Sequence, residues 1–118
     1  KNEVDEKDFL KQIKKIFKVK SLRHTRLLGR PVKRVAICGG SGSFLLENAI
    51  NSAADIFITS DFKYHQFFDA ENKIIVADLG HYETEQYTIE LIADLLMKNF
   101  TNFAIRLTSV NTNPINYL

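Results

Sequence analysis

After Pro31 the chain repeats one pattern. Four short apolar runs, 35–38, 56–59, 74–77 and 104–107, are each rich in Ile, Val or Phe. Between them lie stretches with helical spacing of apolar residues, 43–51, 63–71 and 82–100. Apolar strands that alternate with helices make βαβ units. Such units build a mainly parallel sheet covered on both faces, with right-handed crossovers. The expected fold class is therefore α/β, with helices on both faces of the sheet. At 118 residues the chain has room for a single such domain.

Ahead of this pattern, Phe9, Leu10, Ile13, Ile16 and Phe17 follow a 3.6-residue period with lysines opposite. They predict an amphipathic helix over 8–17. Residues 22–28 alternate and carry polar groups on both faces, which suits a strand near a sheet edge. Gly29-Arg30-Pro31 reads as a turn. The chain opens on Lys1, in a charged lead into the helix, and reads as a piece of a longer protein. The 111–118 tail carries Asn and Pro signals and is expected to run over the surface or onto a partner.

Composition narrows the function classes. A hydrophobic fraction of 45% and a charged fraction of 25% are ordinary for a globular domain and argue against wholesale disorder. No apolar run is long enough to span a membrane, and no signal-peptide core follows the charged start. The net charge is +2, with lysines concentrated near the start. Those lysines read as the solvated face of a helix. Aromatic residues do not interleave with them as a nucleic-acid surface requires. With Cys38 as the one cysteine, no intrachain disulfide can form, and a cytoplasmic setting is expected. Cys38 itself reads as a small buried residue.

In open α/β sheets, ligands bind beyond the carboxyl ends of the strands. Three polar loops fall there. Gly39-Gly40-Ser41-Gly42-Ser43 follows the first core strand, Ser60-Asp61-Phe62-Lys63-Tyr64-His65 the second, and Asp78-Leu79-Gly80-His81-Tyr82-Glu83-Thr84-Glu85 the third. The glycine-rich loop lacks the Gly-Lys-Ser/Thr ending of a P-loop. It also lacks the third glycine of the dinucleotide fingerprint and the spacing of a nucleophile elbow. Two readings stay open for it: anion or substrate contacts from Gly40, Ser41, Gly42 and Ser43, or a tight turn with Ser43 as helix N-cap. Asp61 is a candidate cap for the next helix or a substrate contact. Lys63 and His65 are candidate contacts for an anionic substrate, and His65 is also a candidate proton carrier. His24, in mid-strand without acidic neighbours, reads as structural.

The third loop has the most specific spacing. His81 and Glu85 are four residues apart, hence on one face of a helix. Imidazole plus carboxylate suits zinc, iron or manganese. Asp78, at the strand end, can support the site from behind. Spacing alone leaves a bland alternative, an exposed histidine in an acid-rich helix start. Two ligands also fall short of a stable site.

Taken together, and in this order, Val35-Ala36-Ile37-Cys38-Gly39-Gly40-Ser41-Gly42-Ser43, Ile58-Thr59-Ser60-Asp61-Phe62-Lys63-Tyr64-His65 and Asp78-Leu79-Gly80-His81-Tyr82-Glu83-Thr84-Glu85 resemble the C-terminal half of the Nif-three-like family. That family is known also as GTP cyclohydrolase 1 type 2 homologue, or dinuclear metal-centre hexameric protein. The resemblance runs over roughly residues 9–113. One departure is Ser60, where the family commonly has glycine. The resemblance implies a fold of two related α/β halves, this chain being the C-terminal one, and ring-like hexamers. It implies two divalent metal ions in the full-length protein, held by a histidine pair and an aspartate from the N-terminal half, with a histidine and a glutamate from the C-terminal half. That last pair falls on His81 and Glu85. The partner it implies is the N-terminal half of the same protein, with the metal site incomplete in this chain. Some members carry an inserted domain between the halves, and this piece fits as starting after one.

The resulting expectation is a metal-dependent, hydrolase-like protein acting on a nucleotide or phosphoester, with this piece inactive by itself. The alternative is a non-enzymatic, metal-bound oligomeric scaffold or regulator. A third reading is an α/β domain without a site. A cyclohydrolase reaction rests on the family label alone.

Overall fold

The computed structural model describes residues 3–118. They divide into two compact units, one ending at Thr84 and one over Glu85–Leu118.

In the first unit, helix α1 (Glu6–Ile16) starts where Asp5 caps it. The Asp5 carboxylate accepts from the N–H groups of Lys7 at 2.9 Å and Asp8 at 3.3 Å. The cap sets the start two residues before the expected one. Glu6, buried in the first turn, accepts from the N–H groups of Leu28 (2.8 Å) and Gly29 (3.0 Å). It thereby ties the turn ahead of the sheet to α1. Gly29 has a φ of +73°, which most side chains resist.

The sheet has four strands in the order β1-β4-β3-β2. β2 (Val35–Ser41), β3 (Ile56–Ser60) and β4 (Ile75–Asp78) are parallel, as the alternation predicts. β1 (Arg23–His24) pairs antiparallel with β4 at the sheet edge. Only these two residues of the predicted 22–28 strand join the ladder. The cause lies at Thr25. Its N–H still donates to the Val76 carbonyl at 3.1 Å, but its hydroxyl, which faces the Ile74 carbonyl, accepts from the Val76 N–H at 3.0 Å, so a side chain replaces one of the two backbone bonds of the next pair.

Both faces of the sheet are covered. Alternate residues Ile56, Ile58, Ile75 and Ala77 pack with Leu10 and Ile13 of α1. The intervening Phe57, Ile74 and Val76 pack with Leu46 and Ala49 of helix α2 (Leu46–Asn51) and with Phe62 and Ala70. This two-sided burial explains why β3 and β4 read as unbroken apolar runs. The other edge strand, β2, leaves Val35 and Ile37 exposed. The Asp55 carboxylate accepts from the N–H groups of Lys33 and Arg34, both at 2.9 Å, and so joins the starts of β2 and β3.

Two of the predicted helices are wound tighter than expected, in part or throughout. The 43–51 stretch is a 3-10 turn, Ser43–Leu45, followed by α2. The 63–71 stretch is a 3-10 segment, Tyr64–Ala70. The predicted 82–100 helix is broken into α3 (His81–Glu85) and α4 (Thr88–Asn99). Thr84 supplies the reason. Its hydroxyl bonds back to the carbonyls of Gly80 and His81, both at 3.0 Å, a pattern that bends helices.

The division between the units falls within α3. In the second unit Ala93 of α4 is buried, while Ile89, Ile92 and Leu96 are exposed in this chain. Phe100 and Phe103 stack edge to face at 6.0 Å between centroids. The predicted strand at 104–107 is absent: no strand forms there among the described residues. An apolar run becomes a strand only when a neighbour pairs its backbone, and 104–107 has none. The 111–118 tail has no regular structure and is largely exposed.

Candidate functional site

The three polar loops leave β2, β3 and β4 at the same edge of the parallel sheet, as the strand order requires. Hydrogen bonds knit them together. The Gly40 N–H donates to the Thr84 hydroxyl at 2.9 Å, joining the first loop to the third. The Thr59 hydroxyl, fully buried, donates to the Gly40 carbonyl at 3.1 Å, joining the second strand to the first loop. Gln66 bridges similarly. It accepts from the Lys63 N–H at 2.8 Å and donates to the Ser43 hydroxyl at 3.2 Å.

Asp78 is the anchor of this edge. Its carboxylate is 5% exposed and accepts from the Phe62 N–H (3.0 Å), the Gly80 N–H (3.2 Å) and the Arg23 guanidinium. Arg23 also donates to the Phe62 carbonyl at 2.9 Å. The support expected of Asp78 is thus specific: it fixes the backbone just after Asp61 and just before His81.

Asp61 and His81 come together. The His81 Nδ1 lies 2.6 Å from an Asp61 carboxylate oxygen. An ionised carboxylate only accepts, so Nδ1 carries the proton, and in the neutral ring Nε2 keeps its lone pair. Asp61 reaches this position through a left-handed backbone, φ +61°, which aspartate tolerates better than most residues. It does not cap the following helix as expected. Lys63 occupies that position instead.

The glycine-rich loop departs from the N-cap reading. β2 continues through Ser41, so the segment is strand rather than a helix-terminal nest. Gly42, not Ser43, stands at the N-cap of the 3-10 turn, and the Ser43 hydroxyl accepts from Gln66 instead. The Gly40 N–H is committed to Thr84. A β-carbon on Gly42 would lie 2.2 Å from the Thr59 hydroxyl, so glycine is required there by close packing. What remains open at the edge are side chains. The Ser41 hydroxyl, the Lys63 ammonium and the exposed His65 ring make no hydrogen bond among the described residues.

Ser60 is a local misfit. Its hydroxyl is buried without a hydrogen-bond partner. Desolvating an unpaired hydroxyl costs roughly 1–3 kcal/mol. Ser60→Ala should therefore raise stability by about 1 kcal/mol, read as a higher urea midpoint at unchanged slope. A loss of stability would show that the hydroxyl has a partner, such as a bound water.

Arg23, Gln66 and Thr84 hold the site, and the sequence reading gave none of them a role. Arg23 meets Asp78 across 55 residues, a pairing that no local pattern encodes. Thr84 stood within a recognised segment, but its bonds depend on where the first loop lies.

His81 and Glu85 are the first and last residues of α3 and both are exposed. Among the described residues no group of three or more His, Cys, Asp or Glu side chains is gathered as a metal site. No helix there is long and apolar enough to cross a membrane.

Comparison with known proteins places the chain. A GTP cyclohydrolase 1 type 2 homolog of Staphylococcus aureus is 32% identical over 122 residues, covering 99% of this chain and 33% of the relative. One from Campylobacter jejuni is 36% identical over 107 residues, covering 89% of this chain and 42% of the relative. The chain thus spans 33% to 42% of these relatives' length. A Staphylococcus aureus protein of known crystal structure superposes with a TM-score of 0.90 at 32% identity, over 99% of this chain and 39% of that one. A Bacillus cereus protein related to NIF3 shares the fold, with a TM-score of 0.80 at 24% identity over 100% of this chain and 34% of that one. Residues 1–114 match the Duf34/NIF3 (NGG1p interacting factor 3) family, and the chain belongs to it.

Proposed function

We propose that this chain contributes His81 and Glu85 to a metal centre of a hydrolase-like protein acting on a nucleotide or phosphoester. The observation that supports it most is the Asp61–His81 pair. Histidines that bind metals commonly give their other N–H to a carboxylate, which fixes the tautomer and orients the ring. Here Asp61 holds the Nδ1 proton and leaves Nε2 as the ligating atom. Glu85 lies one helical turn along α3. Two ligands do not complete a centre, so the others come from elsewhere in a longer protein or from a partner subunit. Zinc, iron or manganese suits this donor set. Two such ions, in a hexameric full-length protein, are the arrangement the family resemblance implies.

A bound divalent ion would supply Lewis-acid activation of a water or a phosphoryl oxygen. This chain's own residues supply position and charge. Asp61 orients His81, Asp78 fixes both loops, and Lys63 places a cation beside the edge where an anionic substrate would lie. Ser41 and His65 offer further polar contacts, and His65 a proton at its ring nitrogen.

The test uses the full-length protein. His81→Ala should remove bound metal and hydrolysis of a nucleotide and phosphoester panel together, with the oligomer intact. Asp61→Asn should weaken metal affinity about 10–100-fold, since the ring loses its anionic orienting partner. Elemental analysis that finds no stoichiometric transition metal in the unaltered protein would sink this reading. Metal without turnover under any physiological metal would leave the scaffold alternative in its place.

A further inference from the structure

A cleft of about 530 Å³ opens between β1 and the Tyr64–Ala70 segment. Its lining includes none of Asp61, His81 and Glu85, and meets the strand-edge site only through Arg23 and the loop that carries Tyr64. Its volume is that of a small-molecule site. Aromatic residues form one wall. Tyr64 and Phe68 pack edge to face at 5.5 Å and are 80% and 66% exposed. Behind them, the Arg23 guanidinium lies 5.2 Å from the centre of the Phe67 ring. Arg23 is held by Asp78 and the Phe62 carbonyl, so the cleft's floor is fixed.

The charges in the cleft do not cancel. Arg23 is balanced by Asp78. Glu71 lines the cleft but is paired with Lys73, which holds its carboxyl below the usual range by a hydrogen bond and by charge. Arg26 also lines the cleft and has no acidic partner among the described residues. Exposed aromatic faces beside an uncompensated guanidinium complement one chemistry: a flat aromatic ring that carries an anionic group. The ring stacks on the face of Phe68 and meets Tyr64, set at 77° to it, edge-on, and the anion meets the planar fork of Arg26.

We propose that this cleft is a second binding site, for a planar aromatic anion of the size of a mononucleotide. It stands independently of the metal-centre reading, because none of its residues is a candidate ligand. Its floor nonetheless touches the edge site through Arg23, which bonds the Asp78 carboxylate and the Phe62 carbonyl.

The probe is adenosine 5′-monophosphate, titrated calorimetrically into the full-length protein and into its His81→Ala variant. Phenyl phosphate and benzoate extend the class. Adenosine and inorganic phosphate each supply one half of it. We expect the monophosphate to bind the His81→Ala protein and to bind at least tenfold better than either half. Phe68→Ala and Arg26→Glu, made in that background, should each weaken binding by roughly tenfold or more. Both side chains are exposed, so neither substitution threatens the fold. The proposal is overturned if none of the three aromatic anions binds at millimolar concentration. It is overturned equally if binding disappears with His81→Ala and survives Phe68→Ala, which would put the ligand at the strand edge. Protection of Tyr64 and Phe68 from oxidative labelling in the ligand-free protein would overturn it too, because another part of the protein would then fill the cleft.

Discussion

Asp78→Ala is expected to destabilise the fold by about 3 kcal/mol, in line with loss of charge-assisted hydrogen bonds at a buried carboxylate. The Asp78 side chain is 5% exposed and accepts from the N–H groups of Phe62 and Gly80 and from Arg23. The Phe62 bond is itself buried, so alanine leaves that N–H in the interior with no acceptor. Arg23 suffers less, because its side chain is 60% exposed and water can solvate it. The cost therefore comes mainly from the two backbone donors. Urea unfolding of the alanine variant measures it. Asp78→Asn provides the control. An amide accepts on one side only and presents a donor on the other, so it should recover roughly half of the loss. Full recovery with asparagine would show that the negative charge is unimportant and that a single accepting oxygen suffices. The alanine variant should also loosen Asp61 and His81, since the bonds lost hold the chain next to each.

Gly42→Ala should cost about 2–3 kcal/mol, for a different reason. Its backbone is not in the left-handed region, so no dihedral strain is involved. The added β-carbon would meet the Thr59 hydroxyl at 2.2 Å and the Cys38 Cβ and Sγ at 3.0 and 3.1 Å. Thr59 is fully buried and its hydroxyl is bonded to the Gly40 carbonyl, so it has no room to yield. A double-mutant cycle isolates the cause. Thr59→Ala alone forfeits a buried hydrogen bond and should cost about 1–2 kcal/mol. Combined with Gly42→Ala it removes the atom that clashes. The pair should be more stable than the sum of the single losses by more than about 1 kcal/mol. Simple additivity would mean that the loop relieves the clash by moving away from β3.

The sequence by itself determined the core of this protein. Residues 56–59 and 74–77 are apolar on both faces, and that pattern permits only strands covered on both sides. Where such strands run parallel, the three polar loops must leave at one edge. That pattern alone puts Asp61, Lys63 and His81 at one edge of the sheet. The family was legible there too, because its motifs lie in those same loops.

Tertiary structure decided the rest. The predicted run at 104–107 has strand composition, but composition supplies no neighbour, and in this chain it stays unpaired. The predicted helix over 82–100 breaks because Thr84 bonds back to its own turn while also receiving the Gly40 N–H. Helical spacing carries no record of such a bond. Ser43 had the chemistry of an N-cap, yet Gln66 engages it and Gly42 takes the position. Asp61 had the same chemistry and turns to His81 instead. At Ser43 and Asp61 a local preference worth about 1 kcal/mol yielded to a contact between segments far apart in the chain. Periodicity fixes which surfaces must be buried. Which polar group finds which partner is settled only when those surfaces meet.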